Sequence, residues 1–484
     1  MKKDVKYYDL YINGEWTKCT DGAYFPVENP ANEEITGYAA DAGSEDVERA
    51  LDAATEAQSR WQALSPFQRA SYLYDLMNKL EARREFFADL LCREQGKTYR
   101  DALGEVDDTI AYMKFAADSA GRIKGDILAS PVPGRKMMIE RVPYGVVLAL
   151  CAWNYPLALV GRKLGPALVT GNTLIIKPHE LTPLATAEFM NLVDEAGFPP
   201  GVVNLITGRG IQAGDQLARS PRTKLISLTG SVAAGQAVYK AASVNITGLI
   251  LELGGKAPFI VLEDADLEKA AQAAVVSRFS NCGQVCICSD MIFVQESVKD
   301  EFTALLQAKV KEITVGDPLD PGTQMGPKAS RGDVEKIDGI VQRSLSQGAR
   351  ALTGGKPLTE GAFSKGFWYP ATILTDVKPD MDAAREETFG PILPVLGIKD
   401  FDEAVGLCNA GPYGLAAYLF TGNHSIIMEA SGRLEVGTVF INQPIDGHTH
   451  GFHSGHKLSG LGGEDGEYGL EGYMQKRTLY MDLS

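Results

Sequence analysis

The chain has 484 residues, of which 45% are hydrophobic and 23% are charged, as in ordinary globular proteins. This length suggests about three domains. A formal net charge of −15 argues against nucleic acid and anionic membranes as partners. No apolar run of about 18 residues and no secretory pattern is seen, so we predict no membrane span. Seven cysteines spread over such a chain favour reduced thiols and a cytoplasmic location.

The amino-terminal quarter divides into two parts. Residues 1 to about 45 resemble short strands and turns. From Ser44 to about Arg122 apolar residues recur every three and four positions, which predicts helices, with long runs at 47–61 and 68–91.

Residues 146–252 alternate strand-like and helical segments. Buried strands that alternate with helices predict an α/β fold with a doubly wound parallel sheet. Ligands in such sheets bind at the carboxyl ends of the strands. Four residues lie within two positions of the end of a strand-like run and mark that edge: Lys177, Gly208, Gly230 and Glu252. The runs are 146–151, 173–176, 202–206, 225–228 and 249–251.

A second α/β unit follows Gly254. Its strand-like runs lie at 258–262, 291–295, 391–397 and 438–442, and a helix is predicted from Asp266. The chain thus predicts two successive α/β units.

Two turns in the first unit suggest a nucleotide site. Gly230 and Ser231 link a strand to a helix, so free backbone N–H groups could face a phosphate. Such a turn is also common as a purely structural feature. Lys177 and Glu180 could bind ribose hydroxyls, although taken alone they are better explained by a solvated strand end. A carboxylate at Glu180 would repel a 2′-phosphate, which favours NAD over NADP.

The chemistry is concentrated in a thiol cluster at Cys282, Cys286 and Cys288. With a base such as Glu252 and an amide such as Asn154, a thiol can attack a carbonyl and hold the oxyanion. The spacing Cys-x-x-x-Cys-x-Cys could also bind metal, but zinc sites usually pair ligands as Cys-x-x-Cys, and no second pair is present. A small core residue is the plain alternative for each cysteine.

Many segments, in this order, resemble the non-acylating aldehyde dehydrogenase superfamily over essentially the whole chain. They are Asn29-Pro30-Ala31, Trp153-Asn154-Tyr155-Pro156, Gly165-Pro166-Ala167-Leu168, Gly171-Asn172-Thr173, Lys177-Pro178, Thr229-Gly230-Ser231, Glu252-Leu253-Gly254-Gly255-Lys256, Gly283-Gln284-Val285-Cys286, Glu386-Glu387-Thr388-Phe389-Gly390-Pro391 and Ser459-Gly460.

The resemblance implies a role for each matching residue. Cys286 resembles the nucleophile, Glu252 the general base, and Asn154, with the Cys286 backbone N–H, the oxyanion hole. The cofactor residues by resemblance are Lys177 and Glu180 at the adenosine ribose, Gly230 and Ser231 at the diphosphate, Glu387 at the nicotinamide ribose and Phe389 beside the nicotinamide ring. NAD is the expected cofactor, with no metal.

The resemblance also implies three domains. An NAD-binding domain would span 1–121 and 143–251, and a catalytic domain 252–466. A small β flap at 122–142 and 467–484 would join subunits into a homodimer or homotetramer.

Two residues bear on the substrate. Arg162, eight residues after Asn154, would point the same way along a helix, and with His453 it resembles the lactaldehyde and glycolaldehyde dehydrogenases. Succinate-semialdehyde dehydrogenases share the arginine but usually carry a second arginine where Ser280 stands here. A surface arginine is the plain alternative. Four of the six histidines lie in residues 447–456, where a solvated loop or a metal site is the alternative to substrate contact.

The predicted reaction is oxidation of a short polar aldehyde to its acid through a Cys286 thioester. A succinate-semialdehyde or other anionic-aldehyde dehydrogenase is the nearer alternative. A coenzyme A-acylating enzyme is less favoured, because Glu252 would serve hydrolysis by water. A non-catalytic binding protein is the remaining class.

Overall fold

The computed structural model describes residues 5–483, so residues 1–4 and 484 of the predicted domains lie outside the described part. The strands of that part are, in chain order, β1 (Lys6–Tyr8), β2 (Leu10–Ile12), β3 (Glu15–Thr17), β4 (Tyr24–Glu28), β5 (Ile35–Ala40), β6 (Asp126–Ala129), β7 (Arg135–Pro143), β8 (Val146–Leu150), β9 (Thr173–Lys177), β10 (Val203–Leu205), β11 (Thr223–Thr229), β12 (Gly248–Glu252), β13 (Ala257–Val261), β14 (Ser289–Gln295), β15 (Arg350–Thr353), β16 (Thr372–Thr375), β17 (Ile392–Ile398), β18 (Tyr413–Gly414), β19 (Ala416–Phe420), β20 (Thr438–Ile441), β21 (His456–Lys457), β22 (Gly460–Leu461) and β23 (Met474–Asp482).

The α-helices of the same part are α1 (Ser44–Ala63), α2 (Pro66–Glu81), α3 (Arg84–Gln95), α4 (Tyr99–Asp118), α5 (Ala158–Val169), α6 (Leu184–Glu195), α7 (Asp215–Arg219), α8 (Val232–Ala242), α9 (Leu267–Phe279), α10 (Lys299–Lys311), α11 (Arg331–Ser346), α12 (Asp382–Arg385), α13 (Phe401–Ala410), α14 (His424–Arg433) and α15 (Gly466–Glu471).

The helical stretch after Ser44 forms four helices, and the predicted run 68–91 is interrupted between α2 and α3. Ser65 caps α2 and precedes Pro66, which suits a first helical turn. Gly96 ends α3 in the left-handed conformation, with a φ of 91°. Periodicity shows which residues face the core but not where the chain breaks between helices.

The first sheet has eight strands in the order β22-β12-β11-β8-β9-β10-β2-β3. The five predicted strands are present, and they are parallel. Leu150 pairs with Lys177, and Thr229 pairs with Glu252, so the predicted edge residues end their strands side by side. Strand β22 joins this sheet antiparallel to β12, from the far end of the sequence.

The second sheet follows the order β15-β16-β17-β14-β13-β19-β20. All four predicted runs of this unit form strands, and their pairings are parallel. Strand β15 closes one edge in antiparallel orientation. Buried aliphatic and aromatic side chains fill the space on both faces, as parallel sheets require.

The predicted flap segments contribute a separate three-stranded antiparallel sheet in the order β23-β7-β6. Strands β7 and β23 pair over their whole length, from Met474 opposite Pro143 to Asp482 opposite Arg135. Strand β6 is exposed along its length, and Ile127 is 72% exposed.

Candidate active site

A cleft of about 1140 Å³ lies beside the carboxyl edge of the first sheet. The residues predicted from the sequence as site residues all line it: Asn154, Arg162, Lys177, Glu180, Gly230, Ser231, Glu252, Cys286, Glu387, Phe389 and His453. The structure therefore brings together residues separated by about 300 positions, from two α/β units and the loop before β22.

The loop before Cys286 is tightly constrained. Asn281, Cys282 and Gly283 have φ values of 47°, 57° and 71°, a run of left-handed backbone. A side chain at Gly283 would place its Cβ only 2.3 Å from the Gly390 carbonyl oxygen. This close approach holds the half-buried Cys286 at the cleft wall.

The three cysteines of the cluster differ in exposure. Cys282 and Cys288 are 1% and 3% exposed, and neither lines the cleft. Burial raises the pKa of the Cys286 thiol to about 12; the charge of Arg162 opposes this shift, and the neighbouring Glu252 contributes to it. Cys286 is thus a protonated thiol at neutral pH before any substrate or cofactor binds.

Asn154 has a fixed amide group. Its Nδ2 donates to the Gln284 carbonyl oxygen at 2.9 Å, which leaves the second N–H of the amide for an oxyanion. Its backbone carbonyl accepts from Lys97 Nζ at 2.9 Å and from Asn281 Nδ2 at 3.1 Å. These bonds fix Asn154 against the loop that precedes Cys286.

A buried ion pair supports this loop. Lys97 and Glu105 are fully buried, with 2.5 Å between Nζ and Oε2. Glu105 Oε1 also accepts from the backbone N–H groups of Leu157 and Ala158, at 2.8 and 3.2 Å. The carboxylate therefore satisfies the amino terminus of α5, where negative charge is favourable.

Helix α5 begins only at Ala158, so Asn154 is not on the helix that carries Arg162. The prediction that Asn154 and Arg162 point the same way along one helix is therefore wrong. Both side chains nevertheless line the cleft, because the turn before α5 folds back towards the nucleophile loop.

Glu252 ends β12 and is 3% exposed. Among the described residues neither of its carboxyl oxygens has a hydrogen-bond partner. Burial raises the pKa of this carboxyl well above its usual range, and Glu464 adds to the effect, while Arg162 and Lys163 oppose it. His453 Nε2 lies 3.4 Å from Glu252 Oε2.

Glu387 and Phe389 lie on a segment fixed from both sides. Glu387 Oε1 accepts from the Gly255 N–H at 2.9 Å, and a Cβ at Gly254 would lie 2.5 Å from Glu387 Oε2. Asp290 accepts from the Thr388 N–H at 3.0 Å. The Phe389 ring packs edge-on against Trp153, with 5.4 Å between ring centroids.

The far end of the cleft suits a dinucleotide. Ser231 caps α8 by accepting from the Ala234 N–H at 3.1 Å, so the helix amino terminus faces the cleft beside Gly230. Lys177 is buried and Glu180 is part-exposed. Small side chains of α8 line the wall beyond them, as a flat base would require. The residues present therefore fit a nicotinamide dinucleotide that extends towards Cys286.

The substrate end of the cleft carries a network of opposite charges. Arg162 donates from Nε to Asp465 Oδ1 at 2.8 Å and from Nη2 to Asp465 Oδ2. Glu464 Oε2 lies 3.3 Å from the same Nε, and Glu464 also pairs with the buried Lys163. The Tyr112 ring lies 5.3 Å from the guanidinium carbon.

Comparison with known proteins agrees with this geometry. The Aldehyde dehydrogenase family profile matches residues 16–479. The chain belongs to the aldehyde dehydrogenase family.

Two relatives of the chain align over nearly their full length. It is 45% identical to 3,6-anhydro-alpha-L-galactose dehydrogenase of Vibrio sp. (strain EJY3), over 99% of this chain and 100% of that protein. It is 39% identical to lactaldehyde dehydrogenase of Escherichia coli (strain K12), over 98% of each. Solved structures of a 3,6-anhydro-L-galactose dehydrogenase in complex with NAP and of the Escherichia coli lactaldehyde dehydrogenase superpose with TM-scores of 0.97 and 0.96. They cover 98% and 99% of this chain and 100% of each matched chain.

This aldehyde dehydrogenase is therefore an oxidoreductase that acts on aldehydes with a nicotinamide cofactor. The predicted family, fold class and enzyme class are confirmed. None of the helices in the described part is long and apolar enough to cross a membrane. Over residues 5–483, no group of three His, Cys, Asp or Glu side chains is arranged to hold a metal ion.

Several residues in or beside the cleft were not predicted from the sequence. Asp465 was not singled out, although it stands among glycines and takes a φ of 67°, unusual for an aspartate. An acidic pair within Gly462-Gly463-Glu464-Asp465-Gly466 was the available signal. Nothing in the sequence marked Lys97 and Glu105 as a buried ion pair, because a lysine and a glutamate on neighbouring segments are usually both exposed.

Proposed function

We propose that this protein oxidises a short neutral hydroxyaldehyde, of the lactaldehyde or glycolaldehyde kind, to its carboxylic acid with NAD. The pairing of Arg162 with Asp465 is the observation that carries the substrate class. Relatives named for lactaldehyde, 3,6-anhydrogalactose and D-glyceraldehyde support this substrate class, because these three aldehydes carry hydroxyl groups and no carboxylate.

The proposed chemistry begins at Cys286. Its thiol releases its proton to bulk water, and the thiolate sulfur adds to the aldehyde carbon. The carbonyl oxygen becomes an oxyanion, which the Asn154 amide and the Cys286 backbone N–H stabilise. A nicotinamide held by Glu387 and Phe389 would supply the hydride acceptor for the carbon that bears the oxyanion. Collapse of the oxyanion therefore leaves a thioester on Cys286.

Hydrolysis of the thioester completes the proposed cycle. Glu252 accepts a proton from water, the resulting hydroxide adds to the acyl carbon, and the thiolate leaves. Glu252 reaches into the cleft with no hydrogen-bond partner among the described residues, as a base that waits for water needs. The proton held by Glu252 returns to the sulfur, so the products are the carboxylic acid and a free Cys286 thiol.

The substrate class follows from how the cleft charges pair. A carboxylate substrate binds best to the paired N–H groups along one edge of a guanidinium. In Arg162 the edge formed by Nε and Nη2 is occupied by Asp465. The nearby Lys163 is buried and bound to Glu464. A substrate hydroxyl, which needs only one partner such as Arg162 or His453, fits this surface better than a second carboxylate.

An exchange of one counter-ion tests the substrate class. Asp465→Asn frees the guanidinium, so we expect the KM for succinate semialdehyde to fall about tenfold while the KM for lactaldehyde does not fall. Asp108→Asn is the matched control, because it removes one negative charge from the same cleft and leaves Arg162 paired. Equal effects of the two variants would contradict the proposal, as would a wild-type preference for succinate semialdehyde.

The preference for NAD is proposed from Glu180, whose carboxylate lines the ribose end of the cleft. Some relatives, such as the D-glyceraldehyde dehydrogenase (NADP(+)) of Picrophilus torridus, are named for NADP. We expect Glu180→Gln to improve kcat/KM with NADP about five- to tenfold and to change the value with NAD much less. Asp215→Asn, on the same cleft wall, should leave the ratio unchanged.

Two further features of the molecule are proposed. All seven cysteines are free thiols, which supports a cytoplasmic location. The exposed apolar residues of β6 and β23 support assembly into a homodimer or homotetramer through the flap. Neither proposal enters the chemistry.

A further inference from the structure

The Glu252 carboxyl faces the cleft with unusually few polar neighbours. Over residues 5–483 its oxygens accept no hydrogen bond, and the one ion-pair contact is His453 Nε2 at 3.4 Å. This separation is only slightly longer than an ordinary N–H···O hydrogen bond, so a small movement of either side chain would form one. The imidazole is therefore placed to donate to the carboxylate that hydrolysis of the thioester requires.

The backbone holds this pair in place. His453 and Glu464 exchange two backbone hydrogen bonds, at 2.9 and 2.8 Å. Gly460 pairs with Glu252 in the first sheet, and Leu253 N–H donates to Ser459 at 2.9 Å. The segment that bears the imidazole is thus tied to the strand that bears the carboxyl.

The space around the segment is filled on the side away from the cleft. A Cβ at Gly437 would lie 1.7 Å from the Ser454 carbonyl oxygen, and one at Gly455 would lie 2.1 Å from that of Ser459. The chain after His453 therefore cannot move back, and the imidazole stays over the carboxyl.

We propose that His453 is a positioning residue for the general base, whose Nε2–H stabilises the Glu252 carboxylate and sets the pH at which the thioester begins to hydrolyse. This inference rests on the proposed role of Glu252. It differs from a contact between His453 and a substrate hydroxyl, because it acts on every aldehyde, with or without that hydroxyl.

The protonation state of the imidazole suits this role. Burial, helped by the charge of Arg162, lowers the pKa of His453 to about 3, so the ring is neutral and carries one N–H. The other charged or titratable groups that face the pair are Lys163 on α5, Glu464 and Asp465 before α15, and Cys286. None of them makes an ion pair with Glu252, so they shift its pKa through space only.

The test measures hydrolysis of the acyl-enzyme directly, by rapid quench of the full-length enzyme with cofactor, between about pH 5 and pH 9. A carboxylate that loses its donor binds its proton more tightly. We therefore expect His453→Leu to move the acid limb up by about one pH unit, with propanal as well as with glycolaldehyde. His453→Gln keeps an N–H donor and should restore part of the shift. His448→Leu, on the exposed part of the same loop, should move nothing.

The outcomes separate this inference from the proposed function. If Glu252→Gln leaves the hydrolysis rate and its acid limb intact, the proposed base is wrong. If Glu252→Gln abolishes hydrolysis but His453→Leu leaves the limb in place, the positioning role alone is overturned. An effect of His453→Leu confined to the KM for glycolaldehyde would also overturn it, and would assign the imidazole to substrate binding.

Discussion

Burial favours the neutral forms of both the Cys286 thiol and the Glu252 carboxyl. It raises the pKa of Cys286 to about 12 and that of Glu252 well above its usual range, and Glu252 adds to the shift of Cys286. The cost of burying two adjacent negative charges is avoided while at least one of the two groups is neutral.

The raised pKa of Cys286 predicts a steep pH dependence of alkylation. Without cofactor, the rate of labelling by iodoacetamide should rise about tenfold per pH unit between about pH 7 and pH 9, because only the thiolate reacts. Peptide mapping after labelling measures the rate at Cys286. A plateau near neutral pH would show that the thiol is already ionised there.

A second prediction at the same scale separates the three cysteines. Cys286→Ala should lower kcat with lactaldehyde by at least about 1000-fold, since the covalent step is lost. Cys282→Ala should change kcat much less, because this side chain lies outside the cleft. Both activities follow from cofactor absorbance, and equal losses would contradict the assignment of the nucleophile.

At the level of elements, the turn before α5 that carries Asn154 is positioned by helix α4. Glu105 of α4 binds two backbone N–H groups at the amino terminus of α5 and the ammonium of Lys97, which holds the Asn154 carbonyl. Three buried partners thus bind one carboxylate, and Asn154 depends on it through Lys97. The position of Asn154 is only as rigid as this contact between two helices.

Glu105→Ala should therefore cost about 3–5 kcal/mol of unfolding free energy, because it leaves a buried lysine unpaired. Asp107→Ala is the control on the same helix. It removes an exposed pair with Arg84 and should cost less than about 1 kcal/mol. Urea denaturation of both variants gives the comparison, and similar costs would argue against a supporting role for Glu105.

The nucleophile loop gives another prediction at this scale. Gly283→Ala places a Cβ 2.3 Å from the Gly390 carbonyl oxygen at a φ of 71°, so the loop must shift. We expect kcat to fall about 100-fold, since small displacements of a nucleophile are costly. Gly104→Ala, in open space on α4, should retain activity and keep or raise the melting temperature. Retained activity in Gly283→Ala would mean that the loop tolerates displacement.

For the whole molecule, the flap is the proposed assembly surface. Ile127→Asp puts a charge on β6, where Ile127 is 72% exposed in the single chain, and should shift the protein towards the monomer. Val244 lies on the first α/β unit and is 65% exposed, and Val244→Asp should not change the oligomeric state. Size-exclusion chromatography with light scattering measures both, and an unchanged mass for Ile127→Asp would place the interface elsewhere.

Much of this architecture could be predicted because buried parallel strands consist of short apolar runs with polar residues at their ends. The runs before Lys177, Gly230 and Glu252 predicted parallel strands of the first unit and the edge that carries the site. Family resemblance, not periodicity, singled out Cys286 among three thiols. The roles of the eleven predicted site residues remain proposals.

The rest could not be predicted because it depends on contacts between distant segments. Asp465 meets Arg162 from 303 positions away, and β22 joins β12 across some 200. Such pairings leave no local pattern in a single sequence. The wrong prediction that Asn154 and Arg162 share a helix has the same origin, because Glu105 on another helix binds the start of α5.

One backbone hydrogen bond has a consequence for redesign of the enzyme. The Gly230 N–H, in the turn proposed for the cofactor diphosphate, donates to the carbonyl of Glu252 at 3.0 Å. Glu180, proposed to select the cofactor, follows β9, three strands away from β12 in the sheet. Changes of cofactor preference at Glu180 should therefore leave thioester hydrolysis intact. Changes in the Gly230 turn, in contrast, will move the backbone carbonyl of Glu252, the proposed base.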